Sequence, residues 1–107
     1  MPVVRHREVA RRDLVEHFVY LAENVGLDTA ERFLAQAQAT FEDLARQPLM
    51  GAPLNLKRPE LTKIRKWRMR HFENHLVFYE PRSDGVTVVR VLHAASDWWG
   101  LFGVEGK

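Results

Sequence analysis

The apolar residues of this chain change their spacing once, at Pro48, and that change limits the folds open to it. Before Pro48 they recur every three to four positions; beyond it they form short alternating or continuous runs. A period near 3.6 marks amphipathic helices and a period of two marks strands. The first stripe is Ala10, Leu14, Phe18, Leu21, Ala22 and Val25, followed by Gly26 as a helix stop. The second is Ala30, Phe33, Leu34, Ala37, Phe41, Leu44 and Ala45, which Pro48 ends. Asp28 with Glu31 three residues on has the form of a capping box, so the second helix is expected to start there. A short turn containing Gly26 joins the two into an αα-hairpin, and each stripe needs a surface to cover.

The rest of the chain supplies that surface. Val3–Glu8 is short and partly β-branched and reads as a strand. Residues 48–62 hold three Pro and one Gly and read as a connecting loop. Lys63–Arg70 alternates basic residues with Trp67 and Met69; Ile64 is out of phase, which predicts a bulge or a late strand start. His75–Arg82 is a second run, ended by Pro81, with Phe72-Glu73-Asn74 as the turn before it. Ser83-Asp84-Gly85 is a hairpin signal, and Val86–His93 is apolar on both faces, as a central strand is. The order is β-α-α-β-β-β. The fold class is α+β, an N-terminal helical hairpin on one face of a small, mainly antiparallel sheet. At 107 residues this is a single domain, 1–107. With no Cys there is no disulfide, thiolate metal site or thiol nucleophile. His71 and His75 are four apart but flank the expected turn, so no metal site is expected from them. No run approaches the ~18 apolar residues of a membrane span, and the first residues hold no apolar stretch of signal-peptide length, so the expected location is the cytoplasm.

Charge is distributed unevenly. The net charge is only +2. Between Lys57 and His71, however, stand Lys57, Arg58, Lys63, Arg65, Lys66, Arg68 and Arg70 against the single acid Glu60, a local +6 that leaves −4 for everything else. Alternate residues of one strand share a face. A basic strand face beside an acidic remainder suits a polyanion, such as an RNA backbone, or an acidic protein segment. The same charges also fit a plain solvated edge strand. Farther on, Trp98, Trp99, Leu101 and Phe102 put four large apolar residues within five positions. They form either a short helix tucked on the sheet or an exposed partner surface.

Several segments together resemble the ParE/RelE superfamily of toxins from bacterial type II toxin–antitoxin systems, and its ParE-like branch above all. Ala10-Arg11-Arg12-Asp13-Leu14 is similar to the family's A-x-x-D-L helix start. Ala30 to Phe33, Leu44 and Pro48 through Gly51 resemble its second helix and the P-x-x-G after it. Arg68–Tyr79 and Val88–Asp97 resemble its two later strand segments, with Ser96 where a basic residue is common. The resemblance implies a toxin that inhibits DNA gyrase, with no reaction or cofactor of its own. It also implies neutralisation by a cognate antitoxin in a hetero-oligomer. The antitoxin- or target-binding residues are then Lys63, Arg65, Lys66, Arg68, Arg70, Trp98, Trp99 and Phe102.

The alternative implied by the RelE-like branch is a ribosome-dependent mRNA endonuclease. RNA cleavage needs a base, an acid and cations for the phosphorane charge. The candidates are Arg65, Arg68 and Arg90 for phosphate, His93 as acid and Glu60 as base. His93 also has a structural reading, a hydrogen bond to a neighbouring backbone group or to Asp97.

Overall fold

The computed structural model describes residues 2–54, 63–96 and 98–102. Its elements are β1 (Val3–His6), α1 (Glu8–Asn24), α2 (Leu27–Arg46), β2 (Ala52–Pro53), β3 (Arg65–Met69), β4 (Phe72–Arg82), β5 (Gly85–His93) and α3 (Trp98–Phe102). The five strands form one sheet in the order β1-β5-β4-β3-β2. β1 runs parallel to β5, and every other pairing is antiparallel. The class is the α+β arrangement expected, with the two-residue β2 added inside the loop after α2.

The helical hairpin forms as the stripes require. Ala30, Phe33, Ala37, Phe41, Leu44 and Ala45 of α2 are buried, with only Leu34 of that stripe left 40% exposed. They meet Met69, Val77, Tyr79, Val86, Val88 and Val91 on one face of the sheet. The helix boundaries differ from expectation. α1 begins at Glu8, shortening β1, and an acid in the first turn suits the positive end of the helix dipole. α2 begins at Leu27 on Gly26, with no side-chain cap, so Asp28 is inside the first turn and the capping box does not form. Gly26 has φ 151° and ψ 156°, a region open essentially to glycine alone, and this conformation reverses the chain between the helices.

Two sequence expectations for the strands are also corrected. β3 starts late, as the out-of-phase Ile64 required. The next turn is at Arg70-His71, where His71 has φ 62°, and Phe72-Glu73-Asn74 already belong to β4. β4 then runs through Pro81 to Arg82, because Pro81 opposite Val86 is near the strand end. The hairpin at Ser83-Asp84 is as expected, and Gly85 opens β5 at φ 151°.

The other face of the sheet carries a smaller core of Leu54, Ile64, Leu76, Phe78, Val89 and Leu92, which α3 covers through Phe102 and Trp98. β5 and β4 are thus buried on both sides. No helix among the described residues is long and apolar enough to cross a membrane.

Candidate functional site

The pairing of β3 with β4 sorts the basic residues by face. Lys66 lies opposite Phe78 and Arg68 opposite Leu76, both in the core under α3. Arg65 lies opposite Tyr79 and Trp67 opposite Val77, both in the core under the helical hairpin. The basic residues therefore do not share one face.

Each cation has a distinct job. Arg65 sends Nη1 to the carbonyls of Gly51 (2.6 Å) and Leu49 (3.2 Å). Beside it the Tyr79 hydroxyl accepts from Gly51 N–H and donates to the Pro48 carbonyl, both at 2.8 Å. Burial raises the Tyr79 pKa above its usual value, so the hydroxyl keeps the proton it donates. Together they fix the chain after α2, and a Cβ on Gly51 would press on the Tyr79 hydroxyl and the Lys66 carbonyl. Arg70 pairs with Asp43 of α2 at 2.8 Å, while its backbone N–H reaches Thr40 Oγ1 at 3.0 Å. Lys66 Nζ stands 4.8 Å from the Trp98 ring centroid, a cation–π contact that joins β3 to α3. Arg68 is exposed and donates to the Glu73 carbonyl at 2.8 Å. Lys63 is exposed ahead of the strand; Lys57, Arg58 and Glu60 lie outside the described residues.

α3 settles the two readings of the aromatic tail in favour of packing, with an open margin. Phe102 is 6% exposed, its ring 4.8 Å from that of Phe78, so this residue of the expected binding set is a core residue. Trp98 is half-buried on Phe78, and Trp99 meets Trp98 edge-on at 5.6 Å. Leu101 stays 59% exposed.

Between α3 and the β3 margin runs a groove of about 1120 Å³. Met50, Ala52 and the unbroken run Lys66–His71 form one wall, with Glu73 and Leu76 from β4 and Ala94, Trp98 and Trp99 opposite. Its lining combines apolar side chains with Lys66, Arg68 and Arg70 against one acid, Glu73. This is where the sequence-predicted binding residues Lys66, Arg68, Arg70, Trp98 and Trp99 come together. Arg65 and Phe102 instead hold its frame.

Arg65, Arg68, Arg90 and His93, the described residues of the nuclease alternative, do not converge. Arg90 makes a two-pronged pair with Asp13, Nε to Oδ2 at 2.8 Å and Nη2 to Oδ1 at 3.0 Å, which also raises the arginine pKa. Asp13 Oδ2 accepts Val91 N–H as well. His93 Nδ1 accepts Ala95 N–H at 3.0 Å, the backbone bond of its structural reading; Asp97 is outside the described residues. The Asp13–Arg90 pair was missed by reading the sequence. Its signal was an acid among the apolar positions of α1 and a lone Arg in an otherwise apolar strand. Also missed was the stack of His17, His75 and His93, with adjacent centroids 4.8 and 5.3 Å apart. Burial first, then the neighbouring His17 and His93, lowers the His75 pKa to about 4. Its Nδ1 is buried without a partner. Among the described residues no group of three or more His, Cys, Asp or Glu could hold a metal ion.

Comparison with known proteins places these features in context. A family model described as the ParE toxin of the type II toxin–antitoxin system parDE matches residues 4–98. No curated protein matches the chain. Among solved structures, 11 chains match. One is the chromosomal ParDE TA system from P. aeruginosa, with a TM-score of 0.69 at 13% identity over 87% of this chain and 96% of that one. At that identity the likeness is one of fold.

Proposed function

The chain belongs to the ParE toxin family of type II toxin–antitoxin systems, and from that premise we propose that it inhibits DNA gyrase until a cognate antitoxin occupies the groove along β3. The observation that carries the antitoxin half of this reading is the groove itself. It pairs exposed cations with a partly open tryptophan wall, the chemistry that receives an acidic, apolar-containing protein segment. Toxin and antitoxin then form a hetero-oligomer in the cytoplasm, where gyrase acts. No cofactor enters this reading.

The mRNA endonuclease is the weaker reading on geometric grounds. A cleavage site needs unengaged cations and an acid–base pair around one phosphate. Arg90 is committed to Asp13 and Arg65 to two carbonyls. His93 Nδ1 is committed to the turn after β5. Only Arg68 of the four projects an exposed guanidinium towards the groove.

A supercoiling assay with purified gyrase tests the proposal. A tenfold excess of this protein is expected to abolish supercoiling, and prior mixing with the antitoxin to restore it. Unchanged supercoiling and unchanged cleaved-DNA levels at that excess would sink the gyrase reading. Codon-positioned transcript cuts that vanish with Arg68→Ala would replace it with the nuclease.

A further inference from the structure

α1 packs on α2 and β5 and leaves the rest of its circumference to solvent. That side is not uniformly polar. Glu8, Arg12, Val15, Val19 and Ala22 follow one another at alternating steps of four and three residues. At 3.6 residues per turn they fall within an arc of about 80°, the spacing of a two-helix coiled-coil seam. Val15 is 61% exposed and Val19 44%. Leu34 of α2, itself exposed, shares a shallow groove with Val15 and widens the stripe. On the margin of the stripe away from α2 stand Arg12 near its start and Glu23 near its end, both exposed. Neither has an ion-pair partner among the described residues. None of these residues lines the groove along β3.

We propose that this face of α1 is a self-association surface, on which α1 of a second copy of the chain packs antiparallel about a two-fold axis at the level of His17. The order of the residues names the occupant. In that register Val15 lies level with Val19 of the second copy, and the contact occurs twice. Arg12 lies level with Ala22 of the second copy, whose small side chain admits the arginine stem. Glu23 of the second copy is one helical step, about 1.5 Å, farther along. The two-fold axis keeps each margin of the stripe on its own side, so both Arg12–Glu23 pairs close on the margin away from α2. A parallel pairing would instead set Arg12 against Arg12 and Glu23 against Glu23, with the helix dipoles aligned. A uniformly acidic segment, which suits the β3 groove, is repelled here by Glu23. The seam is short, so the dissociation constant is expected on the order of 10–100 µM.

Sedimentation of the full chain from about 1 µM to about 1 mM tests this. The wild type is expected to pass from monomer to dimer across that range. Arg12→Glu or Glu23→Arg alone sets like charges together at both ends of the seam and should weaken the dimer at least tenfold. Arg12→Glu combined with Glu23→Arg restores opposite charges and should restore the dimer. Both positions are exposed, and urea unfolding of each variant should match the wild type. The chain has no cysteine, so Val15→Cys and Val19→Cys each carry a sole thiol. In an equal mixture under mild oxidation, the disulfide between the two variants is expected to form at least tenfold faster than either same-site disulfide. A monomer throughout the range overturns the proposal. A dimer indifferent to both single charge reversals also overturns it, because the contact then lies elsewhere. Failure of the double substitution to restore the dimer overturns the Arg12–Glu23 pairing. Same-site disulfides that form as fast as the mixed one overturn the antiparallel register.

Discussion

Asp13 is an acid at a position of α1 that faces the sheet, 5% exposed, where the helical period favours an apolar residue. It persists there because it meets three donors: two from Arg90 and one from Val91 N–H. Asp13→Ala would leave a cation and a buried N–H unmatched. Removing one member of a buried pair is more harmful than replacing both. The expected loss is about 2–4 kcal/mol in urea unfolding, somewhat below the fully buried case because Arg90 keeps some exposure. Asp13→Ala with Arg90→Met should recover part of it; no recovery would mean that Asp13 acts mainly through Val91. His75 makes the protein acid-sensitive by a separate route. His17 from α1, Phe33 from α2, Phe72 from its own strand and His93 from β5 surround it. Its folded pKa of about 4 lies below the ordinary 6.5, so the unfolded chain binds the proton more readily. The contribution is fully present above pH 6.5 and is lost as pH falls from there towards 4. The half-buried ring limits the loss to about 1–2 kcal/mol. His75→Phe should flatten that stretch of the stability profile, and a wild-type profile already flat between pH 6.5 and 4 would refute the role. Neither contact is legible in sequence, because Asp13 meets Arg90 across 77 positions and His75 is surrounded by residues from α1, α2 and β5 as well as its own strand, all of types unremarkable locally.

At the scale of elements, what was legible is what periodicity controls. The two helical stripes, the stop near Pro48, the late start of β3 after Ile64 and the Ser83-Asp84 turn all follow from local spacing and turn chemistry. The misplacements have local causes too. Gly26 forms the boundary between α1 and α2 with its backbone alone, so the side-chain signal from Asp28 and Glu31 pointed two residues too late. His71, a residue with no strong turn signal, takes the positive φ of the β3–β4 turn, whereas the polar Glu73-Asn74 carry the turn signal but lie in β4. β2 is two residues long and owes its place to Arg65 and Tyr79, distant partners with no local signal. Gly26 and Gly85 share a φ of 151° but differ in surroundings, which gives a paired prediction. A Cβ at Gly26 meets nothing within 4 Å, so Gly26→Ala should cause only backbone strain, about 1–3 kcal/mol. A Cβ at Gly85 collides with the Val3 backbone. Gly85→Ala should therefore also unpair β1, releasing amide-exchange protection at Val3–His6 while that of β4 persists. Equal effects of the two substitutions, with β1 still protected, would show that the parallel pair tolerates a side chain there.

Among the described residues the sheet is covered unequally: a hairpin of 17- and 20-residue helices on one face, and on the other a helix of five. The net charge of +2 hides the functional consequence, because the thin cover and the basic margin of β3 together make the groove. Trp98 and Trp99 are its far wall, and that wall is anchored by the rings of Phe102 and Trp98 on Phe78 and by the Lys66–Trp98 contact. Phe102→Ala removes the buried ring of that anchor. A buried Phe→Ala change ordinarily costs about 3–5 kcal/mol. Here the loss is capped at the free energy with which α3 docks, since the hairpin core contains no α3 residue. The expected result is local: α3 amides lose protection, β5 amides keep theirs, and urea unfolding of the remainder shifts by about 1–2 kcal/mol. The groove loses its tryptophan wall, so association with the partner should weaken at least tenfold in a titration while the helical hairpin stays folded. If β5 loses protection together with α3, the short helix is part of the main core rather than a detachable wall. If α3 is released and partner affinity is unchanged, the binding surface lies on β3 alone.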